Sequence, residues 1–195
     1  MRKNLCLLIG WCMGMGVALA HPTCIEGRAT DYAGRKLQLS TITDGLSEQR
    51  RLLASDTVAS DGRFRLEFEL SETRMLCLDL GHYEGRLYAE PGKHYEIALP
   101  ERQDLTEAER FNPYFRPKLI LLSLIDPPAD DLNLLIDRFD ETADSVWEDC
   151  LFGGGRPELI EAGVNRLEEE FPADEHSFFG RYKRYNYAML VNLYR

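Results

Sequence analysis

Cysteine and histidine are the residues of this sequence whose spacing says most about chemistry. The five cysteines include no Cys-x-x-Cys pair, which a dithiol oxidoreductase needs to hold two sulfur atoms side by side. Cys24 and Cys77 fall in predicted strands and could bridge two sheets as a disulfide. The alternative is two separate buried thiols, and Cys150 is left over in either case.

The histidines allow one metal hypothesis. If export cleavage makes His21 the amino terminus, its amine and imidazole could bind copper together with His82 or His94. Nothing in the sequence brings these groups together, so we predict no metal site. Gly153 to Gly155 is better explained as a helix stop than as a phosphate loop, because no Lys-Ser/Thr follows it. We therefore predict no catalytic residue and no cofactor, and a protein that is not an enzyme.

The first twenty residues have the pattern of a secretory signal peptide. Arg2 and Lys3 precede the apolar run Leu5–Ala20, which ends in small residues. The run is short and interrupted by glycine, which disfavours the alternative of a retained membrane anchor. We predict cleavage after Ala20, a periplasmic or secreted mature protein, and no stable membrane insertion after cleavage.

The charge of the chain limits its partners. The formal net charge is −10 at pH 7, and loss of residues 1–20 would remove Arg2 and Lys3 but no acidic residue. Nucleic acids and anionic membrane surfaces select basic proteins. Neither is therefore an expected partner, and the acidity is most simply a source of solubility.

Residues 21–126 have the pattern of an antiparallel β-sandwich of seven or eight strands, Ig-like or transthyretin-like. Its centre is 83–99, where Pro91-Gly92 predicts a type II turn closing a hairpin. Short alternating runs separated by turn residues predict seven strands. They are Cys24–Thr30, Lys36–Thr41, Arg50–Val58, Arg63–Leu70, Arg74–Leu80, Gly85–Ala89 and His94–Leu99. The apolar run Lys118–Ile125 predicts an eighth, buried strand.

Residues 127–195 show a helical period and predict a three-helix extension. The first helix starts at Asp130 or Asp131, the second has Pro157 in its first turn, and the third starts near Asp174 to Ser177. The third helix shows no stop signal. Packing against the other two helices is one explanation of its aromatic stripe. The helix as a whole we expect to dock onto a protein partner, another copy or a missing C-terminal region, with Tyr182, Tyr185 and Tyr187 as interface candidates. Tyr187 lies off the apolar stripe, which makes it the favoured one.

Three segments resemble a bacterial envelope family. They are DGRFRLEF at 61–68, LYAEPGKHYEIALP at 87–100 and FNPYF at 111–115. In that family a β-sandwich domain of unknown function commonly precedes helices and a TlpA-like thioredoxin domain, whose Cys-x-x-Cys is not present here. The resemblance implies an exported, non-catalytic binding or scaffolding module. The alternative is the accessory region of a TlpA-like thiol-disulfide oxidoreductase.

Overall fold

A computed structural model describes residues 21–44, 46–154 and 156–193 of the chain. The predicted signal peptide, residues 1–20, lies outside the described residues, as do the last two residues of the predicted third helix. The described chain is mainly β, followed by α. None of its helices has both the length and the apolar character needed to span a membrane.

Nine strands in the described part of the chain form two sheets. In chain order they are β1 (His21–Arg28), β2 (Lys36–Asp44), β3 (Gln49–Thr57), β4 (Arg63–Leu70), β5 (Arg74–Asp79), β6 (Tyr83–Ala89), β7 (His94–Ala98), β8 (Lys118–Leu121) and β9 (Ser123–Leu124). One sheet has the order β4-β1-β7-β9 and the other β3-β2-β5-β6-β8. Thr30, predicted as the end of the first strand, lies instead in a 3-10 turn, Thr30–Tyr32.

Both sheets are mixed, so the prediction of a wholly antiparallel sandwich is wrong. The pairs β1–β7 and β6–β8 are parallel, and the other pairs are antiparallel. Parallel neighbours need a connection that crosses from one end of a sheet to the other. Here the long segments between the paired strands provide that crossing.

Alternating side chains from the two sheets form one core. Strand β4 alternates along its whole length, with its apolar side chains buried and its charged ones exposed, as the sequence pattern predicts. Leu39 of β2, Leu78 of β5 and Leu87 of β6 meet these side chains from the other sheet. The two sheets are therefore held together mainly by burial of apolar surface.

The Pro91-Gly92 turn forms, but it does not close a hairpin. Gly92 has a φ of 75°, and the amide of Lys93 donates to the carbonyl of Glu90 at 3.3 Å. Strand β6 before the turn belongs to the five-stranded sheet, whereas β7 after it belongs to the four-stranded sheet. The turn is an arch between the sheets. The hydroxyl of Thr23, which accepts from the Gly92 amide at 3.0 Å, helps to fix it.

The positive φ at Gly92 gives a prediction. Gly92→Val should lower the free energy of unfolding of the sandwich by about 1 kcal/mol or more, because a β-branched residue is strained at that φ. Lys93→Ala removes only an ion pair between the exposed Lys93 and the partly buried Glu90 and should cost less than the glycine variant does. Urea unfolding of both variants measures the difference. Equal midpoints would show that the turn does not constrain the fold.

The predicted eighth strand, Lys118–Ile125, divides into two edge strands. Strand β8 joins the edge of one sheet beside β6, and β9 joins the edge of the other beside β7. The prediction that this run is buried is wrong for most of it. Leu119 and Leu121 are more than half exposed, and only Leu122, at the crossing between the sheets, is buried.

Among the described residues, four helices follow β7. The short α1 (Glu107–Phe111) begins with a capping box between Thr106 and Glu109. The three predicted helices are confirmed as α2 (Leu132–Phe152), α3 (Pro157–Glu170) and α4 (Phe178–Leu193). Their buried side chains form a second core, separate from that of the sheets. Its members are Leu132, Ile136, Phe139, Ala143, Val146, Cys150, Ile160, Leu167, Phe171 and Phe179.

Tyr88 of β6 joins the helices to the five-stranded sheet. Its backbone N–H donates to Oδ1 of Asn133 at 2.8 Å, and its carbonyl accepts from Nδ2 of Asn133 at 3.0 Å. Its ring lies against those of Phe178 and Tyr182 on α4. Because Tyr88 points away from the sheet core, the helices pack against the outer face of this sheet at Tyr88. The domain boundary near residue 126 stays a prediction.

Candidate functional site

The inner face of helix α4 packs within the chain. Phe179 is buried in the helical core, and Lys183 is only 2% exposed. The Lys183 ammonium donates to Oε2 of Glu168 at 2.8 Å and to the carbonyl of Phe171 at 2.6 Å. Helices α2 and α3 therefore provide a packing partner for this face within the chain. Docking of another part of α4 onto a second protein or copy stays a prediction.

The three candidate interface tyrosines have different environments. The Tyr182 ring packs on Phe139, and Tyr187 also lies against Phe139, with ring centroids 6.2 Å apart. Tyr185 is 76% exposed. The buried face of α4 is centred on Phe179 and Lys183, and Tyr187 packs partly against it. The preference for Tyr187 as the interface residue stays a prediction. A buried lysine could not be expected from the apolar stripe.

The outer face of α4 combines basic and apolar side chains. Arg181, Arg184, Tyr185 and Ala188 follow one another at helical spacing and line a depression of about 380 Å³. Met189, 68% exposed, extends this surface. We call these five residues the α4 outer face. Within the described residues neither arginine is ion-paired, although Nη1 of Arg181 donates to the carbonyl of His176 at 2.8 Å.

A groove separates the start of α4 from the five-stranded sheet. It has a volume of about 380 Å³, and Ile42 and Met75 of the sheet line it opposite Phe178 and Tyr185 of the helix. Arg181 also reaches this groove. The α4 outer face is therefore continuous with a partly apolar cleft rather than with a flat charged surface.

Helix α2 carries a surface of the opposite charge. Asp137, Glu141, Asp144 and Glu148 are all exposed and recur at helical spacing on one side of the helix. We call these four residues the α2 acidic stripe. The helical part of the chain thus presents a basic face on one helix and an acidic face on another.

Asp140 and Tyr182 form a polar contact between α2 and α4. The Tyr182 hydroxyl donates to the carboxylate, with O···O distances of 2.9 and 2.7 Å. Burial raises the pKa of Asp140, the bond from Tyr182 opposes the rise, and the carboxylates of Asp144 and Asp137 add to it. The folded state thus binds the proton more tightly than the unfolded chain does. Ionised Asp140 lowers stability above its folded-state pKa.

Asp140→Asn should therefore raise the free energy of unfolding at pH 7. The amide keeps an acceptor for Tyr182 and removes the cost of ionisation. The advantage should shrink as the pH falls through the folded-state pKa toward about 4, where wild-type Asp140 is also protonated. Urea unfolding followed by Trp147 fluorescence measures the difference in free energy of unfolding between the variant and the wild type at each pH.

Asp140→Ala, which removes the acceptor, should instead lower the free energy of unfolding by about 1 kcal/mol or more at pH 7. An asparagine variant that is less stable at pH 7 would contradict this account.

A polar cavity of about 450 Å³ lies at one end of the sandwich, lined by Arg35, His82 and Arg102 among others. Its positive charge is largely neutralised within the chain. Asp104 pairs with Arg35 at 3.1 Å and with Arg102 at 2.6 Å. An anionic ligand would have to displace Asp104, so this cavity is a weaker candidate than the α4 outer face.

The described cysteines are all free thiols. Cys24 lies next to the core residue Ile25 on β1, so its side chain faces outward from the four-stranded sheet. Cys77 lies between the core residues Leu76 and Leu78 on β5, so its side chain faces outward from the five-stranded sheet. The two thiols lie on opposite outer faces of the sandwich. The Cys24–Cys77 bridge that the sequence allowed is therefore not present. Burial raises the pKa of both thiols and of Cys150, which disfavours the nucleophilic thiolate.

Tyr185 is an interface candidate from the sequence, where Arg181 and Arg184 lie among the same tyrosines. Their spacing of three and four residues places both arginines beside Tyr185 on one face of the helix. Comparison with known proteins does not assign a function to this surface. No family model, no curated protein and no solved structure matches the chain.

Proposed function

We propose that this chain is an exported, non-catalytic scaffolding module that binds a second copy of itself through helix α4. One observation carries the proposal. The α4 outer face places two arginines, which form no ion pair with any residue that the structure describes, beside the exposed Tyr185, and the α2 acidic stripe offers matching carboxylates on the same chain. The sequence resemblance to an envelope family and the predicted signal peptide support the exported location.

Charge complementarity favours a second copy as the partner. The chain has a net charge of −10, so two copies repel unless they meet through a locally basic surface. The α4 outer face is such a surface, and the α2 acidic stripe of the other copy supplies four carboxylates. Tyrosine and arginine at the centre of a contact are also the side chains that contribute most to binding.

We also propose that the two sheets form an Ig-like or transthyretin-like sandwich. Two facing sheets of four and five strands support an Ig-like or transthyretin-like sandwich, with mixed rather than purely antiparallel pairing. No specific contact favours the alternative of an accessory region for a TlpA-like oxidoreductase. The scaffolding role is therefore the one that we propose to test.

Sedimentation velocity of the purified protein tests self-association directly. The weight-average mass should rise with protein concentration, and the rise should weaken between about 0.05 M and about 0.5 M salt, because exposed ion pairs are screened. Arg181→Glu with Arg184→Glu should weaken association by at least about tenfold. A wild-type protein that stays monomeric at every concentration in low salt would exclude a second copy as the partner.

A charge swap makes the test specific. The variant with Arg181→Glu and Arg184→Glu, and a second variant with Glu141→Arg and Asp144→Arg, should each associate weakly alone. Mixed together they should recover association, because the basic α4 face of the second variant meets the intact α2 stripe of the first, and the two glutamates of the first meet the two new arginines of the second. Circular dichroism of each variant checks folding. Association of the mixture no stronger than that of either variant would show that these two surfaces do not meet.

A further inference from the structure

Three metal-binding side chains converge on the outer face of the four-stranded sheet. Cys24 and Glu26 are alternate residues of β1 and point to the same side. His94 of β7 lies directly opposite Cys24 in the parallel pairing of the two strands. One donor atom from each of the three lies within 4.8 Å of the others, and Nε2 of His94 is 3.1 Å from Oε1 of Glu26.

The donor set is suited to zinc. A thiolate, an imidazole and a carboxylate are the three ligand types that Zn²⁺ binds most often, at about 2.0–2.3 Å. In a tetrahedral site such bonds place neighbouring donors roughly 3.3–3.8 Å apart. The present spacing therefore needs only rotation of side chains on a rigid pair of strands. Hard cations such as Ca²⁺ and Mg²⁺ would not use the sulfur.

Arg65 of the neighbouring strand β4 fixes the carboxylate. Its Nη1 is 2.7 Å from Oε2 of Glu26, and its Nε is 2.7 Å from Oε1 of Glu67. Glu26 thus has one oxygen held by Arg65 and the other directed to His94. Such outer contacts orient a ligand and are a common feature of metal sites in proteins. The positive charge of Arg65 is shared between two carboxylates, which limits its repulsion of a cation.

We propose that Cys24, Glu26 and His94 bind Zn²⁺, with water in the fourth position. Binding replaces the thiol proton of Cys24, which is released to solvent, so the coordinated sulfur is a thiolate. The site lies on the opposite side of the sandwich from the helices, since α4 packs on the outer face of the five-stranded sheet. It does not depend on the self-association proposed above.

Zinc titration of the full chain tests the site. The protein is purified without a histidine tag and kept reduced, and isothermal titration calorimetry with ZnCl₂ should give one site per chain with micromolar or tighter affinity. Co²⁺ in place of Zn²⁺ should give a sulfur-to-cobalt charge-transfer band in the near ultraviolet. That band reports directly on the Cys24 thiolate. Absence of saturable binding in the micromolar range would overturn the proposal.

Matched variants identify the ligands. Cys24→Ser should remove the charge-transfer band, and Cys24→Ser and His94→Gln should each weaken Zn²⁺ binding by at least about 100-fold, since loss of an outer contact alone costs about 10–100-fold. Cys77→Ser and His82→Gln, which change the same residue types elsewhere, should leave affinity and spectrum unchanged. Circular dichroism confirms that each variant is folded. Binding that survives Cys24→Ser, or that is lost in Cys77→Ser, would assign the metal to another site.

Discussion

Phe139→Ala should destabilise the helical core by about 3–5 kcal/mol and leave the sheets folded. Phe139 has no solvent exposure and is central to an aromatic cluster. Its ring centroid is 5.5 Å from that of Phe171 and 5.6 Å from that of Phe179, and these two rings come from different segments. Alanine would leave a cavity that neither the α3 end nor the α4 start could fill without moving.

Trp147 of α2 makes this effect measurable. It packs against the helical core, and the other tryptophan, Trp11, lies in the predicted signal peptide, so fluorescence of the mature protein reports on the helices. For Phe139→Ala, urea unfolding followed by fluorescence should show a lower midpoint than for the wild type. The β-sheet signal in circular dichroism should change little, because the sheets stay folded. Tyr185→Ala, on the exposed side of α4, should be within about 0.5 kcal/mol of wild type. A Phe139→Ala variant as stable as Tyr185→Ala would show that the aromatic cluster does not hold the helices together.

Gly27→Val should prevent the four-stranded sheet from forming. A Cβ atom at Gly27 would lie 2.3 Å from the carbonyl oxygen of Ile97 and 2.9 Å from the Phe64 ring. The ring could move, but the carbonyl belongs to β7, which pairs with β1 on the other side from β4. Relief of the clash therefore requires separation of two central strands. We expect a loss of more than about 3 kcal/mol or no folded protein.

Ala98→Val is the matched control for the glycine variant. Ala98 also lies in β7, but its side chain is exposed, and a β-branched residue suits an exposed strand position. Ala98→Val should therefore change the free energy of unfolding little. Circular dichroism and urea unfolding of both variants give the comparison. A Gly27→Val protein with a wild-type midpoint would mean that β1 and β7 do not approach as closely as described.

The sequence alone determined the elements whose causes are local. Strand β4 has the bounds Arg63–Leu70 that its alternation predicts, because the strand period depends only on neighbouring residues. Helix α2 begins after Asp131, whose side chain accepts from the Asn133 amide, and α3 begins at Pro157. The turn at Pro91-Gly92 was predictable for the same reason.

Only the tertiary structure decided which strands pair with one another and which faces of the helices are buried. The Pro91-Gly92 turn could close a hairpin or arch between sheets, and the choice depended on β1 and β8, far away in the chain. On α4, Lys183 became buried because Glu168 and the carbonyl of Phe171 came within hydrogen-bonding distance. That contact left Tyr185 exposed and placed Tyr187 against Phe139.

The two candidate sites also differ in how much of them follows from the sequence. The outer face of α4 could be read from its spacing once the buried side of the helix was known. The Cys24, Glu26 and His94 cluster could not, because about 70 residues of chain separate His94 from the other two. Only the parallel pairing of β1 and β7 brings these side chains together, and that pairing results from burial of apolar surface across the whole sandwich rather than from any local signal.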